Sequence, residues 1–193
     1  MLYCMKYTVI AFSGSLRKDS YTTKLVKAFK TLAPKDVELK IIDIGDLPFI
    51  NQDLETSLPP SVKKLHSAIE KADGVIFATP EYNRSYSPVL KNAIDWGSRP
   101  PGKNKWKKKP VAVIGCTPSF LGAFGAQNHL RQVLVYLDMV PVQQPEFYLS
   151  NIADKLDDAG KLKDDETKKK ISEVWAALIE LIKASKSKLL SAV

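Results

Sequence analysis

The chain has 193 residues, 45% of them hydrophobic, and a formal net charge of +8. That length and composition suit one buried core, and residues 1–193 are expected to form a single domain without internal repeats. No apolar run reaches the roughly 18 residues of a membrane span, no secretory leader is legible, and two cysteines, Cys4 and Cys116, cannot build a disulfide scaffold. The expected setting is therefore soluble, reducing and cytoplasmic, without a membrane partner.

Tyr7–Phe12 is a continuous apolar and β-branched run that reads as a buried parallel strand. The loop Gly14-Ser15-Leu16-Arg17-Lys18-Asp19-Ser20-Tyr21-Thr22 follows it, and Leu25, Val26 and Phe29 then recur at helical spacing, with Ser20 placed as N-cap. Free amides at a positive helix end, the hydroxyls of Ser13, Ser15, Ser20 and Thr22, and the fixed charge of Arg17 fit a phosphate monoester. One glycine is too few for a dinucleotide fingerprint, and no Gly-Lys-Ser/Thr follows, so a terminal phosphate such as that of FMN suits the loop. A capped strand-to-helix turn with a surface arginine explains the same residues without a ligand.

Val37–Asp43 reads as the second strand, Ser61–Lys71 as a helix and Gly74–Thr79 as the third strand. Ser87 and Pro88 open a further helix through Trp96. Between them, Thr79-Pro80-Glu81-Tyr82-Asn83 offers a stiff backbone, a flat apolar surface and flanking polar groups, which suits an aromatic ring with polar edges. Pro110–Gly115 is the fourth strand, Gly125–Leu137 a helix, Val142–Tyr148 a short fifth strand interrupted by Pro141 and Pro145, and Asp164–Ser185 the last helix. The alternation predicts an α/β fold, a three-layer doubly wound parallel five-stranded sheet of order 2-1-3-4-5. In that order ligands sit between strands 1 and 3, the two strands these loops follow.

Gly14-Ser15-Leu16-Arg17 with Ser20, Thr79–Asn83, Leu90–Trp96 and Gln127–Leu134 together resemble the NADPH-dependent FMN reductase family, and within it the flavodoxin-like quinone and chromate reductases. The resemblance implies that Ser15, Leu16, Arg17, Lys18, Asp19, Ser20, Tyr21 and Thr22 hold the FMN phosphate. It further implies that Pro80, Glu81, Tyr82 and Asn83 line the isoalloxazine and that Cys116 and Thr117 touch it. FMN is the implied cofactor, NADPH or NADH the hydride donor, a quinone or similar small molecule the acceptor, and a homodimer or homotetramer the assembly. The flavin carries the chemistry, so no catalytic side chain is assigned. Thr22 stands where the family usually carries Asn, and Gly125 where relatives often carry an arginine used in subunit contacts.

Reduction of free FMN, reduction of azo dyes or metal oxyanions, and electron carriage without enzymatic turnover remain as alternatives; the basic charge counts against a carrier, whose docking surface is expected to be acidic. Lys103–Lys109 places five lysines around Trp106 and reads as a solvated loop, with attraction of NADPH or anionic acceptors as the alternative and no nucleic-acid module visible. His66 and His129 lack companions at ligand spacing, so neither they nor any other group predicts a metal. Cys116 reads as a small buried residue and not as a redox thiol.

Overall fold

The computed structural model describes residues 7–190, with side chains described through residue 187; Cys4 lies outside them. Strands β1 (Tyr7–Ser13), β2 (Val37–Ile42), β3 (Gly74–Thr79) and β4 (Pro110–Cys116) alternate with helices α1 (Tyr21–Thr31), α2 (Pro60–Lys71), α3 (Pro88–Ser98) and α4 (Phe124–Tyr136). Two short strands, β5 (Val140–Pro141) and β6 (Phe147–Leu149), precede the long helix α5 (Asp165–Leu190). The sheet runs β2-β1-β3-β4-β5 and the ladders among β1 to β4 are parallel, which is the flavodoxin-like order expected.

Strands covered on both faces read as unbroken apolar runs, and the faces separate cleanly by period two. Val9 and Ala11 of β1, Ile76 and Ala78 of β3, and Ala112 and Ile114 of β4 face α1 and α5. Ile10 and Phe12, Val75 and Phe77, and Val111 and Val113 face α2, α3 and α4. Across the first face Trp175 of α5 donates from Nε1 to the Phe29 carbonyl at 3.1 Å.

The fifth position of the sheet differs from expectation. Val142–Tyr148 does not form one strand: β5 pairs with the start of β4 at Pro110 and Val111, and β6 pairs with its end at Ile114–Cys116. The residues between contain Pro145, which has no N–H to give to a ladder, so the edge is made of two pieces. The last helix is also longer than expected, ending at Leu190 and not near Ser185.

The lysine-rich segment is a second correction, because it is not simply a solvated loop. Trp106 is fully buried, donates from Nε1 to the Ile94 carbonyl at 2.8 Å, and packs edge-on against Phe77 and Phe12 with centroids 5.4 and 5.8 Å away. Gly97 makes this possible, since a Cβ there would lie 2.3 Å from the indole. The neighbouring lysines are engaged too: Lys105 pairs with Glu70, Lys108 with Asp138 at 2.8 Å, and half-buried Lys109 donates to the Ala72 carbonyl at 2.6 Å. Burial holds the Lys109 ammonium below its ordinary pKa, and Lys105 holds the Glu70 carboxyl below its own. His66 is buried as well, with Nε2 donating to the Trp96 carbonyl at 2.8 Å.

Trp106→Ala is expected to cost about 3 to 5 kcal/mol, the range for an emptied aromatic core site. A urea unfolding midpoint that moves by less than about 1 kcal/mol equivalent would show that the indole is not holding this segment to the core.

Candidate flavin cleft

The carboxyl ends of β1, β3 and β4 lie side by side, Ser13 opposite Ala78 and Thr79 opposite Gly115. Gly14 ties the first two loops together: its N–H donates to the Ala78 carbonyl at 2.8 Å. A Cβ at position 14 would stand 2.8 Å from Ser87 Oγ and 2.9 Å from Pro80 Cδ, so glycine is required by close approach.

Beyond this tie lies a cleft of about 250 Å3. Ser15, Arg17, Ser20, Tyr21 and Thr22 form one wall and Pro80, Glu81 and Tyr82 another, with Cys116, Thr117 and Pro118 completing it. Asn83 lines an adjoining hollow of about 360 Å3 with Arg84 and Ser119. Leu16 is 59% exposed at the loop tip, and Lys18 and Asp19 line a separate groove that also reaches Ser20. Ten of the fourteen residues singled out from the sequence thus share one cleft, Asn83 sits beside it, and Leu16, Lys18 and Asp19 point elsewhere. Pro118 had no signal of its own in the sequence.

The first wall is preorganised by its hydroxyls. Ser20 caps α1, its Oγ accepting from Thr23 N at 3.2 Å. Its hydroxyl also meets Thr22 Oγ1 at 2.8 Å, and Ser13 Oγ meets Thr22 Oγ1 at 3.0 Å and Thr23 Oγ1 at 2.9 Å. These four hydroxyls carry four protons and their three contacts consume three, which leaves one for an outside acceptor. Most of the hydroxyl set read as phosphate ligands therefore shapes the loop. The groups left to meet an anion are Arg17, Ser15 and the first amides of α1, which have no carbonyl partner within the helix.

The second wall is a tight hairpin turn. Tyr82 and Ser85 exchange two backbone hydrogen bonds of 2.9 Å, with Asn83 and Arg84 between them at φ of 49° and 66°. Two positive φ values define a type I′ turn, in which asparagine is at ease and arginine is strained. Tyr82 is left 44% exposed at the cleft.

Glu81, expected as a polar group near a ring, has a second role that the sequence did not reveal. Helix α4 starts after Ala123, a left-handed residue with no side chain to cap with, and Glu81 Oε2 accepts from Ala126 N at 3.2 Å in its place. A carboxylate at a helix N-terminus is well placed, and Arg84 pairs with it at 3.3 Å. Gly125 permits the approach, because a Cβ there would lie 3.0 Å from the Arg84 carbonyl and 3.4 Å from both carboxylate oxygens.

The third wall turns on Thr117. Its N–H donates to Leu149 of β6 at 3.0 Å, its hydroxyl donates to the Ser119 carbonyl at 2.9 Å, and its oxygen accepts from Gly122 N at 3.0 Å. Cys116 beneath it is buried, and burial pushes its thiol pKa from 9.0 up to about 12. Among the described residues no group of three or more His, Cys, Asp or Glu is placed to hold a metal ion. His129 is exposed, 3.3 Å from Ser85 Oγ.

Residues 7–154 match the family described as NADPH-dependent FMN reductase. The chain belongs to that family. It is 49% identical over 159 residues to a quinone reductase of Pseudomonas putida, covering 82% of this chain and 86% of the relative. It is 44% identical over 177 residues to an NADPH:quinone oxidoreductase of Arabidopsis thaliana, covering 88% and 89%. Among solved structures, the flavoenzyme NAD(P)H:(acceptor) oxidoreductase FerB of Paracoccus denitrificans superposes with a TM-score of 0.87 at 42% identity, covering 93% of this chain and 98% of that one. The protein is thus an NAD(P)H-dependent oxidoreductase of flavodoxin-like fold with FMN as cofactor.

The raised thiol pKa has a measurable consequence. A group neutral in the fold, with a pKa raised above its ordinary value of 9.0, contributes stability that is complete below that value and lost as pH rises toward about 12. In a Cys4→Ser background, Cys116 is expected to resist iodoacetamide at pH 8 until the chain unfolds, with alkylation tracking the urea transition. Rapid labelling of the folded protein, followed by mass, would contradict this burial.

Proposed function

We propose that the three-walled cleft binds FMN and that the enzyme uses it to pass hydride equivalents from NAD(P)H to quinones or similar small soluble acceptors. The observation that carries the reading is the convergence, through Gly14, of a capped helix N-terminus bearing Arg17 with the Pro80–Tyr82 wall in one cleft. The residues fit the cofactor: Arg17, Ser15 and the first α1 amides suit a phosphate monoester, while Pro80, Tyr82 and Thr117 suit a flat ring system. Ser20, Tyr21, Thr22, Glu81 and Cys116 complete the proposed lining, Asn83 borders it, and Leu16, Lys18 and Asp19 belong to the phosphate loop without lining the cleft. When bound, the flavin supplies the redox chemistry by accepting hydride from the nicotinamide and delivering electrons to the acceptor.

The protein's part is binding and orientation. The rigid hydroxyl network holds the phosphate loop, the I′ turn fixes the Tyr82 surface, and exposed Tyr82 leaves one side of the cleft open for a stacking partner. No general acid or base is assigned, and the Cys116 thiol stays protonated near neutral pH.

Phe120 before α4 is 78% exposed, and Phe124, Val135 and Tyr136 (88%) are exposed on it; these apolar side chains support self-association as a homodimer or homotetramer. Both apolar clusters pack on one sheet, which supports a single domain over 1–193. No described helix is long and apolar enough to cross a membrane. Small soluble acceptors and a cytoplasmic setting remain part of the proposal.

The test has two parts. The protein is expected to bind FMN stoichiometrically, and NADPH to bleach the flavin absorbance under argon until a quinone restores it; release of FAD, or no flavin binding, would overturn the reading. Arg17→Ala is expected to weaken FMN about ten to a hundredfold, or about 1.5 to 3 kcal/mol, and riboflavin much less, because only the phosphate meets the guanidinium. Equal losses for the two ligands would place Arg17 in folding and not in phosphate binding.

A further inference from the structure

Charge on this protein is not spread evenly. At the lysine-rich segment Lys105 and Lys108 have carboxylate partners, whereas in a second set of six converging lysines only one does. A groove of about 850 Å3 runs along α1 and is closed on its other side by residues 159–162 and the start of α5. Lys18, Lys24, Lys27 and Lys30 line one wall, Lys161 and Lys168 the other. Asp19 is the single carboxylate in the lining, and of these six lysines only Lys168 has an ion-pair partner among the described residues, Asp165 at 2.8 Å.

Both walls are built. Lys24, Lys27 and Lys30 stand three residues apart and so share one face of α1. Lys24 is steadied over the Tyr21 ring, 5.5 Å from its centroid, and its stem crosses Gly160, where a Cβ would lie 3.1 Å from Cε. Gly160 has φ of 73° and closes a turn in which Asp157 N donates to the Lys161 carbonyl, Lys161 N to Asp157 Oδ1 and Gly160 N to the Asp157 carbonyl, each at 2.8 Å. Like charges facing each other across a concave surface repel, and their summed field concentrates anions between them.

We propose that this groove is an anion site distinct from the flavin cleft, for a soluble ligand carrying consecutive phosphate groups. A single phosphate is too small for the span, since the helical lysines alone, Lys24 to Lys30, are spread over about 9 Å at 1.5 Å per residue, and Lys18 lies beyond them in the loop before α1. The lining has six lysines and no arginine, so it offers several point charges and no planar fork, which suits a ligand of high charge density with many anionic oxygens. Concavity fits a chain-like ligand better than a flat lipid surface. Thr23 and Thr31 add hydroxyls along the same wall, and Ala28, Leu32 and Leu162 add an apolar floor able to take a nucleoside. Inorganic polyphosphate and nucleoside polyphosphates share the recognised chemistry. Because Lys18, Asp19 and Ser20 belong to both the groove and the flavin loop, its occupant sits next to the flavin phosphate.

Calorimetry on the FMN-loaded protein at physiological ionic strength tests this, with the flavin blocking the other phosphate site. Tripolyphosphate is expected to saturate at one per chain and to bind at least tenfold more tightly than orthophosphate. The Lys24→Gln/Lys27→Gln/Lys161→Gln variant should lose at least tenfold, while Lys103→Gln/Lys107→Gln, exposed and outside the groove, should change it less than twofold. ATP binding as tightly as tripolyphosphate assigns recognition to phosphate alone, and tighter binding adds the apolar floor; either supports the site. No saturable binding of tripolyphosphate or ATP, equal losses in the two variants, or association only with phosphatidylserine vesicles or RNA would overturn it. Quinone turnover is not the readout, so the result is independent of the acceptor.

Discussion

The architecture of the cleft depends on the close contact at Gly14. The crossover from β2 places β3 beside β1 on the other side from β2, and the Gly14 N–H to Ala78 carbonyl bond extends that pairing past the end of the strands. Two loops that would otherwise diverge are held in contact, with Pro80 and Ser87 against the bare glycine. The start of α1 and the start of α3 are thereby set on either side of the same point. The third loop is locked to them indirectly, because Gly115 lies opposite Thr79 and Thr117 is bonded to β6. The walls are therefore parts of one rigid rim and not three independent loops, which is what preorganised binding requires.

How far this was legible in the sequence follows from how local each signal is. The four main strands and their helices could be read because parallel strands buried on both faces are continuously apolar and because Ser20 and Ser87 are local capping signals. Trp106 could not: an aromatic residue within a lysine run looks solvated, and its pocket is made by Gly97, Phe12 and Phe77 from three other parts of the chain. The fifth strand was only partly placed: β5 lies before the expected Val142–Tyr148 and β6 overlaps its end, since Pro145 signals a break without saying that β4 pairs on both sides of it. At the cleft, composition counted hydroxyls as ligands, whereas geometry shows most of them bonded to one another. Glu81 likewise was visible as a carboxylate but not as the missing cap of a helix 45 residues further on.

The net charge illustrates the same difference between composition and arrangement. A total of +8 says only that anions are attracted at a distance, with exposed charges screened beyond about 8 Å at physiological salt. The densest run in the sequence, Lys103–Lys109, proves to be partly neutralised and anchored by its tryptophan. The charge left uncompensated is dispersed in sequence from Lys18 to Lys161 and becomes a cluster only when α1 and the turn at Gly160 meet. Attraction by a folded basic surface is thus set by which lysines lack a carboxylate, and a linear reading cannot weigh that.

The chemistry left to the protein is narrow, and this bears on which acceptors suit it. Cys116 is the thiol at the cleft, and its burial keeps it protonated, so it offers neither a nucleophile nor a ready electron relay near neutral pH. Glu81 is committed to the amide of Ala126 and to Arg84, which leaves it poorly placed to move protons. Under the proposed reading, the acceptor would meet the open side of the cleft beside Tyr82 and would be selected by flatness and by its own redox potential more than by polar recognition. A specific hydrogen-bonding pocket would reject analogues lacking one group, whereas an exposed stacking surface discriminates weakly among planar compounds. That physical difference favours a range of quinone-like acceptors over one tightly specified substrate.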